Sequence, residues 1–395
     1  MLPNITTFPF FSKGKTVDNI HLSKIVKSEK FVQFFDDLHK IGDPRIDRCK
    51  KHELPNIIFI IILGMLCGSN NITGISNFAL RTRDKLEQLL SLRNGVPSRS
   101  TISRTMAMIN PVELASWRDK LQNIIAGTSL ICHLSVDGKK DAANKFYAIR
   151  VFDVSNTCVI RQEEIPQGAN EISLGSRLFE TLPVENKIVT ADAIYTHRSN
   201  VRKIVSHGGD YLLALKKNQR ELYDDVAFYL ENIEHDRDLI GTYTKCRTAE
   251  KSRNRFEIRE CISTGNIGWL HRRNRWAGLR SISMIKTIRT IKGQDSITTR
   301  FFISSLEPSA EKVLLLARRH WMIENLCHRH LAIAFEEDRS TLARGRSSTN
   351  FSILRDYVLS LLQHAKSHES LREQRLSNHY QIELLLERLF LPAFK

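Results

Sequence analysis

Between residues 130 and 233 the chain changes texture several times, and the order of those changes limits the folds open to it. "SLICHLSVDG" is a β-type run, and "KFYAIRVFDVS" and "TCVIRQEEIP" alternate as two further strands, with "SNT" as a hairpin turn. "ISLGSRLFETL" has helical spacing, and "KIVTADA" is a short apolar strand. "HRSNVRKIVSHGG" is a helix closed by Gly208 and Gly209, "DYLLALKKN" is a strand, and "QRELYDDVAFYLENI" is a helix. The order β-β-β-α-β-α-β-α is an antiparallel start feeding a partly parallel sheet, which places the chain in the α/β class with the element order of an RNase H-like fold.

The flanks divide the rest. Residues 1–29 read as a poorly ordered lead, and 30–127 as a helical N-terminal domain. Within it "IIFIIILGMLC" is too short to span a bilayer and reads as a buried core helix. Pro97 and Pro111 bracket a short helix carrying Arg104, with Ser100 as its N-cap. That 96–109 segment reads either as a helix-turn-helix reader or as a core helix with a polar start. The core is expected at 128–240 and 307–345. A mostly β insertion covers 241–306 ("RFEIRECIS", "LRSISMIKTIRTI", "SITTRFFISSL"), and helices fill 346–395.

Charge narrows the partner. With 59 Lys+Arg against 43 Asp+Glu the chain carries +16, which favours a polyanion, nucleic acid before membrane. The excess is concentrated: residues 241–300 hold 14 Lys/Arg against the four acids Glu250, Glu257, Glu260 and Asp295. Two tight clusters stand out there, Lys251/Arg253/Arg255 and Arg272/Arg273/Arg275, and a β-segment is expected to display them as one band along DNA backbone. Trp269 and Trp276 lie in the same stretch, open to base stacking or to core packing. Seven cysteines without a CxxC, and no apolar leader in "MLPNITTFPFFSKGK", point to reduced thiols in the cytoplasm.

The helix around "ARRHWMIENLCHRH" carries one acid, Glu324, among the apolar residues Val313, Cys327, Leu331 and Phe335, while Arg318, Arg319, Asn325 and Arg329 lie toward the other face. Three readings stand for Glu324. It snorkels or pairs with a cation; it joins His320, Cys327 and His328 in a metal face; or it is one of several carboxylates gathered from distant parts of the chain. The third has partners. Asp137 ends the first strand in "LSVDGKK" and Asp192 ends the fourth in "IVTADAIYT". In an RNase H-like sheet these strands are neighbours, so their terminal acids converge, and a later helix brings the third. Three carboxylates suit the hard, water-rich coordination of Mg²⁺, and a pair of such ions supports in-line displacement at phosphorus. Asp137, on the central strand, is the expected bridging ligand. Beside these acids, Lys139, Lys140, Lys216, Lys217, Asn218, Arg318, Arg319 and His320 are candidate DNA contacts.

"VDGK" (136–139), "ANEIS" (169–173), "IVTADA" (188–193), "GGDYLLALKKNQ" (208–219), "TRFFISSL" (299–306) and "HWMIEN" (320–325) run in one order across about 130–340. In this the chain resembles the DDE transposases of bacterial insertion sequences, in the branch of the H-repeat-associated proteins found beside Rhs elements. Arg329 and Ala332 stand where that family usually has a tryptophan and an aspartate. The resemblance implies the catalytic and metal-binding triad Asp137, Asp192 and Glu324, two Mg²⁺ (or Mn²⁺) ions, and a β insertion between the last two acids. It further implies cleavage and strand transfer on double-stranded DNA at terminal inverted repeats, a target DNA, a homodimer in the synaptic complex and a nucleoid-associated cytoplasmic protein. The other classes to weigh are an inactive transposase-derived DNA-binding protein and an RNase H-like structure-specific nuclease.

Overall fold

A computed structural model describes residues 22–126, 133–140, 146–166, 171–235, 238, 242–252, 255–342, 345–365 and 367–391. Helices α1 (Leu22–Val26), α2 (Glu29–His39), α3 (Leu54–Leu66), α4 (Ile72–Arg81), α5 (Arg83–Leu89), α6 (Arg99–Met108) and α7 (Pro111–Ala126) precede the sheet. The part of the expected lead that can be seen is ordered: α1 starts at Leu22, and Leu22 and Ile25 are buried. Every residue of α3 is buried, as an apolar run with no polar face requires. The cap of α6 is Ser98, not Ser100, because Ser98 is the residue still extended after Pro97 and its Oγ accepts from the Thr101 amide.

The sheet has nine strands in the order β3-β2-β1-β4-β5-β9-β8-β7-β6. Strands β1 (His133–Lys140), β2 (Tyr147–Asp153) and β3 (Cys158–Glu164) form the antiparallel start. After α8 (Glu171–Thr181), β4 (Ile188–Ala191) lies parallel to β1. After α9 (Arg198–Ser206), β5 (Asp210–Leu215) lies parallel to β4. α10 (Arg220–Asn232) follows. Then come β6 (Tyr243–Ser252), β7 (Arg255–Thr264), β8 (Ser281–Ile291) and β9 (Gln294–Ser304). β9 returns antiparallel to β5, so the 241–306 stretch widens the same sheet instead of forming a separate layer. β6 was not among the strands expected from sequence. Its side chains are all exposed or half-exposed, so it shows no buried apolar face.

Pairing between β5 and β9 ends at Leu215 and Phe301, but β9 runs back to Gln294, still paired with β8. The four long strands therefore overhang the edge at which β4 and β5 stop. α8, α9 and α10 share one core with β1, β4 and β5, which also takes in Ile267, Leu270 and Trp276 from the β7–β8 connection. On another face of the sheet α11 (Ala310–His320) packs Val313, Leu314 and Leu316 on Leu212, Cys261, Ile285 and Phe302.

The chain then passes through a π-type turn (Ile323–His328) into α12 (Arg329–Ile333), α13 (Ser347–His364), α14 (Leu371–Tyr380) and α15 (Ile382–Phe390). The helices before and after the sheet do not stand apart. Ile58 and Leu63 of α3, Trp117 of α7, Cys327, Leu331, Phe351 of α13 and Leu386 of α15 belong to one apolar cluster that also covers Phe152 and Val159 of the sheet. Among the described residues no helix is long and apolar enough to cross a membrane.

Candidate functional site

Asp137 and Asp192 are brought together by backbone register alone. Val136 pairs with Ala191 in the parallel β1–β4 ladder, so the next residue of each strand is an aspartate at the same edge. Glu324 arrives from the π-type turn after α11. Its side chain does not point into the apolar stripe, which is made by Val313, Ile323, Cys327, Leu331 and Phe335; Glu324 is half exposed instead. The wider π turn carries an extra residue, and this moves Glu324 off the buried line that α-helical spacing assigns it. It still reaches the first acid. One ligand atom each from Asp137, Glu324 and His328 lie within 4.8 Å of one another.

His328 is nearly fully buried, with Nδ1 3.0 Å from Glu324 Oε2 and 3.5 Å from Asp137 Oδ2. Its contact, opposed by burial, holds the Glu324 carboxyl below the usual range. Asp192 is likewise held low, first by His320, whose Nε2 lies 3.7 Å from Asp192 Oδ1, and then by the charges of Lys216 and Arg300. Asp137 behaves oppositely. Burial, and next the charge of Asp192, push its carboxyl up to about 7. Asp137, Glu324 and His328 thus form a donor group that suits a divalent cation, while Asp192 lies outside that group and acts on Asp137 through its charge.

The four-residue metal face is not formed. His320 turns to Thr190 and Asp192, and Cys327 is fully buried, with burial driving its thiol well above the ordinary value. Only Glu324 and His328 of that set face one centre.

Behind Asp137 lies a buried ion network that sequence reading missed. Arg150, opposite Asp137 in the β1–β2 ladder, reaches Glu337 at 3.1 Å and Asp356 at 3.1 Å. Lys139 pairs with Asp338 at 2.6 Å and Glu337 at 3.4 Å. Burial raises the Glu337 carboxyl, but Arg150, Arg355 and Lys139 outweigh it and hold it at about 2. The visible signal was the pair of strongly polar residues, Arg150 and Asp356, inside runs otherwise apolar.

The candidate DNA contacts scatter. Lys139 is committed to the network, and Lys140 lies 4.6 Å from the Tyr147 ring centre. Lys216 and Lys217 are exposed at the end of β5, and Asn218 donates to Ala193 O at 2.7 Å. Arg318 pairs with Glu250 at 2.5 Å, and Arg319 is exposed.

The two basic clusters do not make one band. Lys251 and Arg255 stand at the tip of the β6–β7 hairpin, and Arg253 lies outside the described residues. Arg272, Arg273 and Arg275 sit in the long connection from β7 to β8, which folds back over α10. There Arg272 meets Glu221 at 3.4 Å and lines an open cleft with Arg198, Asn218, Arg220 and His271. The connection folds back because Trp276, only 4% exposed, anchors it in the core. Trp276 is therefore a packing residue, while Trp269 stacks on Tyr229 with ring centres 4.4 Å apart.

The family described as Transposase DDE domain matches residues 132–361, and a model described as DDE_Tnp_1-associated matches residues 35–118. "H repeat-associated putative transposase YhhI" of Escherichia coli (strain K12) is 29% identical over 343 residues, covering 80% of this chain and 86% of that protein. "Putative transposase YncI" of Escherichia coli O157:H7 is 25% identical over 348 residues, covering 84% and 87%. A solved piggyBac transposase synaptic complex with hairpin DNA aligns over 96% of this chain and 81% of its own at 12% identity and a TM-score of 0.39, a likeness too low to bear on the fold.

Proposed function

The chain belongs to the DDE transposase family, and from that premise we propose that it cleaves and rejoins phosphodiester bonds at the ends of an insertion sequence, using Asp137, Asp192 and Glu324 to hold Mg²⁺ or Mn²⁺. The observation that supports this reading is that Asp137 lies with Glu324 and His328 in one group able to hold a metal ion, while the β1–β4 register sets Asp192 at the same strand edge as Asp137. The strand order 3-2-1-4-5, antiparallel then parallel, supports an RNase H-like core around it.

A divalent ion bound there supplies Lewis-acid charge at the phosphorus under attack, and a pair of ions serves both the entering and the leaving oxygen. The chain's own residues do the rest. His320 and His328 hold Asp192 and Glu324 in place. Lys216 and Arg300, whose charges already act on Asp192, lie where phosphate oxygens of the substrate would be met. Terminal inverted repeats and a target duplex are the substrates, and two copies of the chain bring the two ends together in the synaptic complex.

The test uses duplexes carrying the ends of the element that encodes the chain. Asp137→Asn, Asp192→Asn and Glu324→Gln are each expected to abolish Mg²⁺-dependent cleavage while end binding in a gel-shift assay stays within a few-fold of wild type. A variant that cleaves at the wild-type rate removes its residue from the site.

A further inference from the structure

β6 ends the strand order, with β7 as its neighbour. Besides that ladder, α11 holds it at two points. Thr244 Oγ1 accepts from the Ala310 amide at 2.9 Å at the start of the helix, and Glu250 meets Arg318 at 2.5 Å near its end. Between these ties lies Cys246, half-exposed and packed against the cluster that holds Leu212, Ile285, Val313 and Leu314. Cys261 of β7 belongs to that cluster and is fully buried.

The antiparallel register sets Cys246 directly opposite Cys261. Residues so placed turn their side chains to the same face of the sheet. Their Cα atoms lie about 5.5 Å apart in a hydrogen-bonded pair and about 4.5 Å apart in the other kind. A disulfide takes a Cα separation of roughly 4.4–6.8 Å, so either kind of pair can be bridged without moving a strand. Both thiols are free, and among the described residues no other two cysteines stand opposite each other in a ladder.

The two thiols differ in reach. Burial, and next the charge of Cys246, push the Cys261 thiol up to about 12, so its thiolate is scarce and shielded from solvent. Cys246 is the one that meets an oxidant first, since attack needs access as well as a thiolate.

We propose that Cys246 and Cys261 form a reversible thiol–disulfide pair that staples β6 to β7 when the chain meets a low-molecular-weight disulfide. The Cys246 sulfur attacks one sulfur of that disulfide, whose S–S bond breaks. One half stays on Cys246, and the other leaves as a thiol with the Cys246 proton. The Cys261 sulfur then attacks Cys246, the mixed S–S bond breaks, and the second half leaves as a thiol with the Cys261 proton. The pair loses two electrons and two protons, and the small disulfide gains them. The bridge closes residues 247–260 into a ring that includes the hairpin tip with Lys251 and Arg255. Such a closure restricts the opened strand more than the paired one. Because Cys246 remains half-exposed, a small thiol can reopen the bridge, as suits a protein whose other thiols stay reduced.

The test uses the full-length chain carrying Cys49→Ser, which removes an exposed thiol, without DNA or metal. After incubation with oxidised glutathione at pH 8 and digestion without reductant, mass spectrometry is expected to find one peptide pair joined through Cys246 and Cys261. Dithiothreitol should release it. Adding Cys246→Ser should abolish the bridge and leave Cys261 unmodified. Two free thiols, a glutathione adduct that stays on Cys246, or a bridge from either cysteine to another residue overturns the pair; glutathione on Cys261 in the Cys246→Ser variant overturns the order of attack. Hydrogen exchange reads the staple itself. Amides of 243–252 are expected to exchange about tenfold or more slowly in the oxidised chain than in the reduced one, with the oxidised Cys246→Ser variant matching the reduced chain. Equal exchange in the bridged and reduced forms overturns the staple.

Discussion

The two halves of the sheet differ in strand length, in burial and in what their ends carry. β1 to β5 run for four to eight residues and are largely buried, while β6 to β9 run for ten or eleven and are exposed along most of their overhang. Where short parallel strands stop, the next side chain of each strand arrives at one edge, and that is where Asp137 and Asp192 meet. Where long strands continue, side chains alternate over two open faces. One face bears Arg255, Arg259 and Arg289 around the buried Glu257; the other bears a cross-strand apolar row, Ala249, Ile258, Ile288 and Ile297. The difference teaches that, on the proposed function, position along a strand sorts the chemistry: strand ends gather the acids, and long strands offer a surface to a long polyanion.

The most severe break of this contrast is a single atom change in the short half. Asp137→Asn is expected to remove cleavage entirely, whereas Arg255→Ala, in the long half, should leave cleavage of saturating DNA near wild type. Comparable losses in both, measured on one duplex, would erase the distinction.

Next in size is the buried network behind the short half. Glu337→Gln strands Arg150 and Lys139 without their shared partner, and breaking a buried pair costs about 3–5 kcal/mol. The pH dependence has a definite sign. Glu337 is held at about 2, below its ordinary 4.5, so its contribution is complete above about pH 4.5 and is lost as pH falls through 2. Urea melts from pH 6 to pH 2 should show the wild type losing roughly 3 kcal/mol more than Glu337→Gln across the acid limb.

The long half is tested by salt. Lys251→Ala combined with Arg255→Ala is expected to flatten the slope of log affinity against log salt by about 2 units if both meet phosphate. Lys139→Ala should leave the slope unchanged, because Lys139 is already occupied by Asp338 and Glu337. A flattened slope for Lys139 would move the DNA path onto the short half.

The smallest effect concerns protons at the acid cluster. With Asp137 pushed up to about 7, a bound cation must displace a proton below that pH. Calorimetric Mn²⁺ affinity should therefore weaken by about tenfold per pH unit on going down from pH 7. An affinity flat between pH 5.5 and 8 would show that Asp137 is ionised without the metal.

Much of this was legible because strands and helices advertise themselves by period. The apolar runs ending in Asp137 and Asp192 gave both strand and edge, and the order of elements gave their adjacency. What stayed hidden depended on distance rather than period. β6 shows no buried face to read, since neither side of its overhang is covered. The π turn displaced Glu324 by an amount no α-helical wheel predicts. Cys246 and Cys261 look like scattered thiols until the antiparallel ladder sets them opposite each other. The scattered cations of 251–275 were adjacent in sequence, but Trp276 holds one cluster in a folded-back connection and a hairpin holds the other.

The apolar cluster shared by the helices on both sides of the sheet has a consequence for the chain during synthesis. Ile57 to Leu66 leave the ribosome well before part of their cover, α13 to α15, which is made about 280 residues later, or some 15–60 s at ~5–20 residues per second. Through that interval the greasiest segment of the protein has only its neighbouring helices for shelter. A nascent chain, or one cut short by a premature stop before α13, leaves Ile58 and Leu63 without the Phe351 and Leu386 side chains that complete their surroundings. Such fragments should be captured by chaperones or cleared by proteolysis rather than persist as free helical units. Quality control is thus expected to fall on the completion of α13 to α15, the helices that close this cluster.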